Sequence, residues 1–95
     1  MLFVWDHDKA EGNVKKHAVS FEIAQSIFDD PFHLSVLDSR HPAEERWVTI
    51  GQSVHHKTLV VAHAYCVIEN GQELVRIISA RKATKKEKRQ YEEGI

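Results

Sequence analysis

The hydrophobic period of this chain changes once, at Pro31, and that change limits the folds open to it. Upstream of Asp29-Asp30-Pro31, the apolar residues Phe21, Ala24, Ile27 and Phe28 recur at helical spacing. Ser20 stands at the N-cap position of that helix, and the residue before a proline is driven out of the helical region. A helix over 21–28 is therefore predicted. Before it, Asp8-Lys9-Ala10-Glu11 has the spacing of a capping box and predicts a mostly polar surface helix over 9–17. Residues 2–5 form a short apolar strand candidate. Downstream of Pro31 the pattern becomes that of strands. Runs at 33–37, 45–50, 59–67 and 73–80 are rich in Val, Ile, Thr and aromatics and are separated by turn chemistry. Asn70-Gly71 suits a hairpin because both residues tolerate positive φ, and 51–57 is a longer polar turn. Connections this short force antiparallel pairing. Thr84-Lys85-Lys86-Glu87 is a second capping box, opening a helix that ends near Glu93 at Gly94. The expected fold is α+β, in the order β-α-α-β-β-β-β-α. It has an antiparallel sheet of four to five strands, two N-terminal helices and a C-terminal helix, with the helices on one face.

At 95 residues the chain has the length of one domain, expected to span 1–95. No apolar run approaches the ~20 residues of a membrane span, and the start, Met1-Leu2-Phe3-Val4-Trp5-Asp6, lacks the pattern of a signal peptide. The lone Cys66 rules out an internal disulfide. These features predict a cytoplasmic protein with no membrane partner. The net charge of −1 conceals an asymmetry, because seven of the 13 Lys and Arg residues lie from Arg76 onward. That concentration fits a polyanion or an acidic protein partner, and equally a solvated C-terminal helix.

Side chains alternate across a strand, so parity sorts them by face. In the 59–67 run, Leu59, Val61, His63 and Tyr65 share one face. Val60, Ala62 and Ala64 share the other, a small apolar set suited to packing beneath a helix. With simple register, His63, Tyr65, Ser79 and Arg81 would line one half-exposed floor beside the basic C-terminal helix. Arg76 would then fall on the opposite face from Arg81 unless a bulge intervenes. Glu45 and Arg46 also point different ways, and parity does not say which one faces the floor.

Cleaving RNA without a metal needs a base for the 2′-hydroxyl, an acid for the departing 5′-oxygen and cations for the charge on phosphorus. Arginine suits the last role because its planar fork matches phosphate oxygens. Arg46, Arg76, Arg81 and Arg89 are candidate clamps, and Glu45, His17, His63 and Tyr91 candidate proton carriers. Each also has a plain structural reading: rim charge, packed histidine or helix anchor. The chain has seven histidines, but His55 and His56 are adjacent and diverge on a strand, and one cysteine makes no zinc box. No metal and no cofactor are expected, and no Gly-rich phosphate loop or nucleophile elbow is present.

Several segments together resemble the BrnT family of toxins. They are Phe3-x-Trp5-Asp6-x-x-Lys9-x-x-x-Asn13-x-x-Lys16-His17-x-Val19-Ser20-Phe21, Phe28-Asp29-Asp30-Pro31 and Glu45-Arg46-x-x-x-Ile50-Gly51. The others are Arg76-Ile77-Ile78-Ser79-Ala80-Arg81-x-Ala83 and Thr84-x-x-Glu87-x-x-x-Tyr91-Glu92. They span nearly the whole chain in order. Ala18 departs from the pattern, which usually has glycine there, so the first helix is expected to lose its left-handed cap. A second departure is 41–44, where family members vary in loop length. The resemblance implies a RelE-like fold and a type II toxin acting as a metal-independent endoribonuclease that inhibits translation. It also implies a BrnA-type antitoxin with a ribbon-helix-helix DNA-binding part, the complex acting on operator DNA. The resemblance carries over to Arg46, Arg76, Arg81 and Tyr91, to Ser79 as a residue that orients a phosphate, and to Lys16 and His17, whose role could equally be structural. Joined to the residue reading, it gives Glu45, Arg46, Arg76 and Arg81 as the expected catalytic residues, and Lys16, His17, Ser79, Lys82, Lys85, Lys86 and Tyr91 as the expected RNA contacts. The alternative is a non-catalytic module that acts with its antitoxin as a transcriptional autorepressor. A DNA reader is a weaker third reading, because no helix here combines basic with base-reading residues in a known docking motif.

Overall fold

The computed structural model describes residues 1–40 and 45–94, and the expected loop variation at 41–44 lies outside them. The elements follow the expected order: β1 (Leu2–Val4), α1 (His7–His17), α2 (Phe21–Gln25), β2 (Leu34–Asp38), β3 (Arg46–Gln52), β4 (Thr58–Val67), β5 (Glu73–Lys82) and α3 (Lys85–Glu93). A 3-10 turn over Ser26–Asp29 continues α2, so the helix expected over 21–28 is tighter in its second half. The five strands form one sheet in the order β1-β5-β4-β3-β2. Four pair antiparallel as expected, whereas β1 joins β5 in parallel, so the sheet is mixed. The crossover through α1 and α2 makes that parallel pairing possible.

Helix starts follow local chemistry. The α1 cap is Asp6, not Asp8: its carboxylate accepts from the Lys9 amide at 3.0 Å, and the helix begins two residues earlier than expected. Ser20 caps α2 through the Ile23 amide at 3.1 Å. Thr84 and Glu87 form the expected reciprocal box at the start of α3. At the end of α1, Ala18 keeps the left-handed cap with φ 58° and ψ 30°, its amide donating to Val14 O at 2.9 Å. The cap expected to be lost is therefore present, held by alanine where glycine would fit without strain.

The core lies between one sheet face and α1, α2 and the 3-10 turn. Phe21, Ala24 and Ile27 bury against Leu59, Val61, Val75, Ile77 and Ala80. Gly51 permits the close approach of the turn, since a Cβ there would stand 3.0 Å from Ile27 Cβ and 3.1 Å from its carbonyl oxygen. Asn13 is the buried polar member of α1, 7 % exposed. Its Nδ2 donates to Val19 O and Ala80 O, both at 2.8 Å, and its Oδ1 accepts from Ala80 N at 3.1 Å. β1 pairs only Leu74 to Arg76 of β5, so beyond it Asn13 satisfies the outer backbone edge of that strand.

Candidate functional site

The sheet face away from α1 and α2 is built by one irregularity. Ala62 pairs with Ser79 and His63 with Ile77, so Ile78 is an extra residue in β5. The bulge turns over the alternation of everything after it. Arg76 before the bulge and Ser79 and Arg81 after it all share the open face. This answers the question that parity left open for Arg76. It also corrects the simple-register expectation. His63 and Tyr65 belong to the opposite face, covered by α1 and α2, and Val60, Ala62 and Ala64 share the face of the arginines, where Val60 is buried.

The registers arrange that floor in rows. Arg46 of β3 and Arg76 of β5 flank Ala64 of β4. Two strands apart, their Cα atoms are separated by about 10 Å, with the small Ala64 between them. Asp38 of β2 pairs with Arg46 at the outer end of this row. The next row runs Val36, Val48, Ala62, Ser79. A cleft of about 590 Å³ opens over it, walled by Asp38, Arg40, Ser79, Arg81 and Glu87. Asp38 is only 9 % exposed and accepts from Arg40 Nε at 2.9 Å and Nη2 at 3.0 Å.

α3 reaches this open face, so the helices do not all lie on one side as expected. Arg81 donates through Nη1 and Nη2 to the two Glu87 oxygens at 2.7 and 2.8 Å. The Glu87 carboxylate also accepts from Thr84 N at 2.9 Å. These donors, Arg81 foremost, hold Glu87 at about 2 against the burial that would raise it, and the same bond raises Arg81. The second tether is Tyr91, whose hydroxyl donates to Asp30 Oδ2 at 2.5 Å. Burial and that acceptor push Tyr91 up to about 12. Burial acts to raise Asp30, but Tyr91 and the Gln52 and Phe32 amides outweigh it and keep the carboxyl below its ordinary value. Asp30 is a residue whose role sequence reasoning missed, since Asp29-Asp30-Pro31 read only as a helix stop.

The remaining expected site residues scatter. The Glu45 carboxylate accepts from Trp47 Nε1 at 3.1 Å, and Trp47 pairs with His63 on the helix-side face. Glu45 and Arg46 thus diverge as predicted, with Arg46 on the open floor. Lys16 and His17 end α1, and Lys82 lies in register with core Leu59, so all three sit on the helix side. Lys85 and Lys86 are exposed on the first turn of α3. His63 is 4 % exposed in the core, its Nε2 2.7 Å from Thr49 Oγ1, and burial lowers its pKa. Among the described residues, no three His, Cys, Asp or Glu side chains converge as a metal would require. Among the described residues, no helix is long and apolar enough to cross a membrane.

Residues 5–87 match the family described as ribonuclease toxin, BrnT, of type II toxin-antitoxin system. The chain belongs to the BrnT family. The fold is similar to the crystal structure of the Brucella abortus ribonuclease toxin, BrnT, with a TM-score of 0.59 at 19 % identity. That alignment covers 90 % of this chain and 100 % of the other. At that identity the likeness is one of fold. No curated protein sequence matches the chain. A BrnT-family ribonuclease toxin of a type II system implies an antitoxin partner. Of the BrnT signature, Asn13 and the segment from Arg76 to Arg81 meet in the structure, because Asn13 clamps Ala80, two residues beyond the bulge.

Proposed function

We propose that this BrnT-family chain is an endoribonuclease that binds the RNA backbone on the open sheet face and inhibits translation. It cleaves by 2′-hydroxyl attack, using side chains rather than a metal for charge and protons. The observation that carries the reading is the bulge at Ile78, which puts Arg76, Ser79 and Arg81 on the same face as Arg46. Arg46 and Arg76 hold the scissile phosphate and the charge that builds on it, and Ser79 orients it. Arg81, its fork already filled by Glu87, fixes α3, whose Lys85 and Lys86 steer RNA into the cleft. Asp38, the carboxylate in register with Arg46 on this face, takes the base role in place of Glu45. The antitoxin is of the BrnA type, with a ribbon-helix-helix part, and operator DNA is met only through the complex, in the cytoplasm. The alternative, a non-catalytic corepressor, draws on the carboxylate already seated on Arg81, the kind of contact that an acidic partner would make with the same cations.

The test is induction of the chain alone in a bacterial host, reading growth and RNA integrity, beside Arg76→Ala and Arg46→Ala. The parent should arrest growth and degrade RNA, and each variant should lose at least 100-fold of the cleavage rate. Folded variants as toxic as the parent would overturn the assignment. Intact RNA with the parent would favour the corepressor.

A further inference from the structure

A second cavity, of about 220 Å³, opens on the opposite face of the sheet from the arginines. That volume is below the roughly 300–1,000 Å³ of sites for drug-sized ligands, so it admits one small group rather than a length of polymer. Its walls include the rings of Phe28, Trp47 and Tyr65, with Ser35, His63 and Glu73 supplying polar atoms. Phe28 and His63 stand edge to face, with centroids 5.0 Å apart. Ser35 Oγ lies 2.7 Å from Thr49 Oγ1, which is 2.7 Å from His63 Nε2, so a neutral hydroxyl–imidazole chain runs from the cavity into the core. Glu73 accepts from the Tyr65 hydroxyl at 3.2 Å and leaves acceptor capacity on its carboxylate.

These walls suit a planar, uncharged ring. Glu73 is the carboxylate that lines the cavity, beside Met1 and His33 and with no Lys or Arg side chain, and Glu45 stands next to it on Trp47. Flat heterocycles stack on aromatic side chains whatever their sequence, whereas a carboxylate selects for adjacent N–H donors. Guanine carries such donors on its Watson–Crick edge, and the Ser35 hydroxyl, its proton given to Thr49, adds a further acceptor. The position is also telling. Trp47, Tyr65 and Val75 of the cavity each neighbour in sequence a member of the Arg46–Ala64–Arg76 row on the other face.

We propose that this cavity is a nucleobase site, selective for guanine, behind the phosphate-binding arginines. As a determinant of RNA sequence preference it rests on the ribonuclease reading; as a site for a free guanine nucleoside it does not. The full chain is titrated with guanosine, adenosine, cytidine and uridine while tryptophan fluorescence is followed. Trp5 and Trp47 are the two fluorophores, and Trp5 packs on Phe21 in the core. Guanosine should quench at concentrations at least tenfold below the other three. Trp47→Phe should abolish the signal, and Glu73→Gln should weaken guanosine at least tenfold, whereas Arg76→Ala should leave it unchanged. Ser35→Ala, a milder change, should remove part of the preference and guards against misfolding of the first two variants. Cleavage of short RNAs then separates the sources. A guanine preference lost in Glu73→Gln assigns the base to the substrate, and a cleavage pattern unaltered in that variant while its guanosine affinity falls assigns a free nucleoside. Absence of quenching, equal quenching by all four nucleosides, or guanosine affinity unchanged in Glu73→Gln would overturn the proposal. A chain that binds guanosine without cleaving RNA would sink the ribonuclease reading alone. A chain that cleaves without binding guanosine would sink this inference alone.

Discussion

Ala18 shows how much a single residue can tolerate when its neighbours need a particular turn. An L-residue in the left-handed region loses about 1–2 kcal/mol to the clash of its Cβ with the following carbonyl, a cost glycine does not carry. Ala18 sits there with φ 58° because the chain must leave α1 and turn at once into the Val19–Ser20 entry to α2. Part of the relief from glycine is offset by its greater freedom in the unfolded chain. Ala18→Gly is therefore expected to stabilise the fold by about 0.5–1 kcal/mol, read as a shift of the denaturation midpoint at unchanged slope, with no effect on RNA cleavage. The same scale decides Glu45 and Arg46. Adjacent strand residues face opposite ways, so at most one could share the floor with Arg76, and the Trp47 indole claims the carboxylate.

At the scale of the element, α3 buries none of its own residues and is attached by side chains rather than by an apolar stripe. Arg81–Glu87 and Tyr91–Asp30 hold its two ends to the body. A bidentate pair at the partly exposed surface contributes on the order of 1 kcal/mol. Glu87→Gln is thus expected to cost about that much, and to weaken RNA binding because the basic turn at Lys85–Lys86 loses its fixed position. A gain of RNA affinity in this variant would mean instead that Glu87 blocks Arg81 as a phosphate clamp. The pair also fixes a pH dependence. Glu87 is held at about 2 in the fold against an ordinary value of 4.5. Its stabilisation is fully present above that ordinary value and is lost as pH falls from there towards 2. Unfolding followed across this window should show a decline in the parent that Glu87→Gln lacks.

The whole molecule depends on keeping the bulged strand in register, and Asn13 is where a helix does this. Removing its amide leaves the buried Ala80 N–H and C=O and the Val19 carbonyl without their partner, each at about 1–3 kcal/mol, with some recovery through water. Asn13→Ala should cost about 3 kcal/mol, and at roughly 4–8 °C per kcal/mol for a domain of this size the melting temperature should fall by about 12–24 °C. If Asn13 also holds the register after Ile78, cleavage by the still-folded fraction should fall too, a change that stability alone would not bring. Much of this architecture was legible in the chain. The element order, the caps at Ser20 and Thr84, the hairpin at Asn70-Gly71 and the basic C-terminal quarter follow from periodicity, hydrogen-bonding side chains near helix starts and residues that accept positive φ. These are local properties, written within a few residues of where they act. The parallel pairing of β1, the crossing of α3 to the open face and the tether from Asp30 were not legible, because each joins residues far apart in sequence. Most of all, alternation in β5 could say that Arg76 and Arg81 differ in parity but not that one inserted residue would cancel the difference. That was decided by tertiary structure, where the apolar faces of Ile77 and Ala80 must both reach the core and Asn13 holds the strand edge between α1 and the sheet.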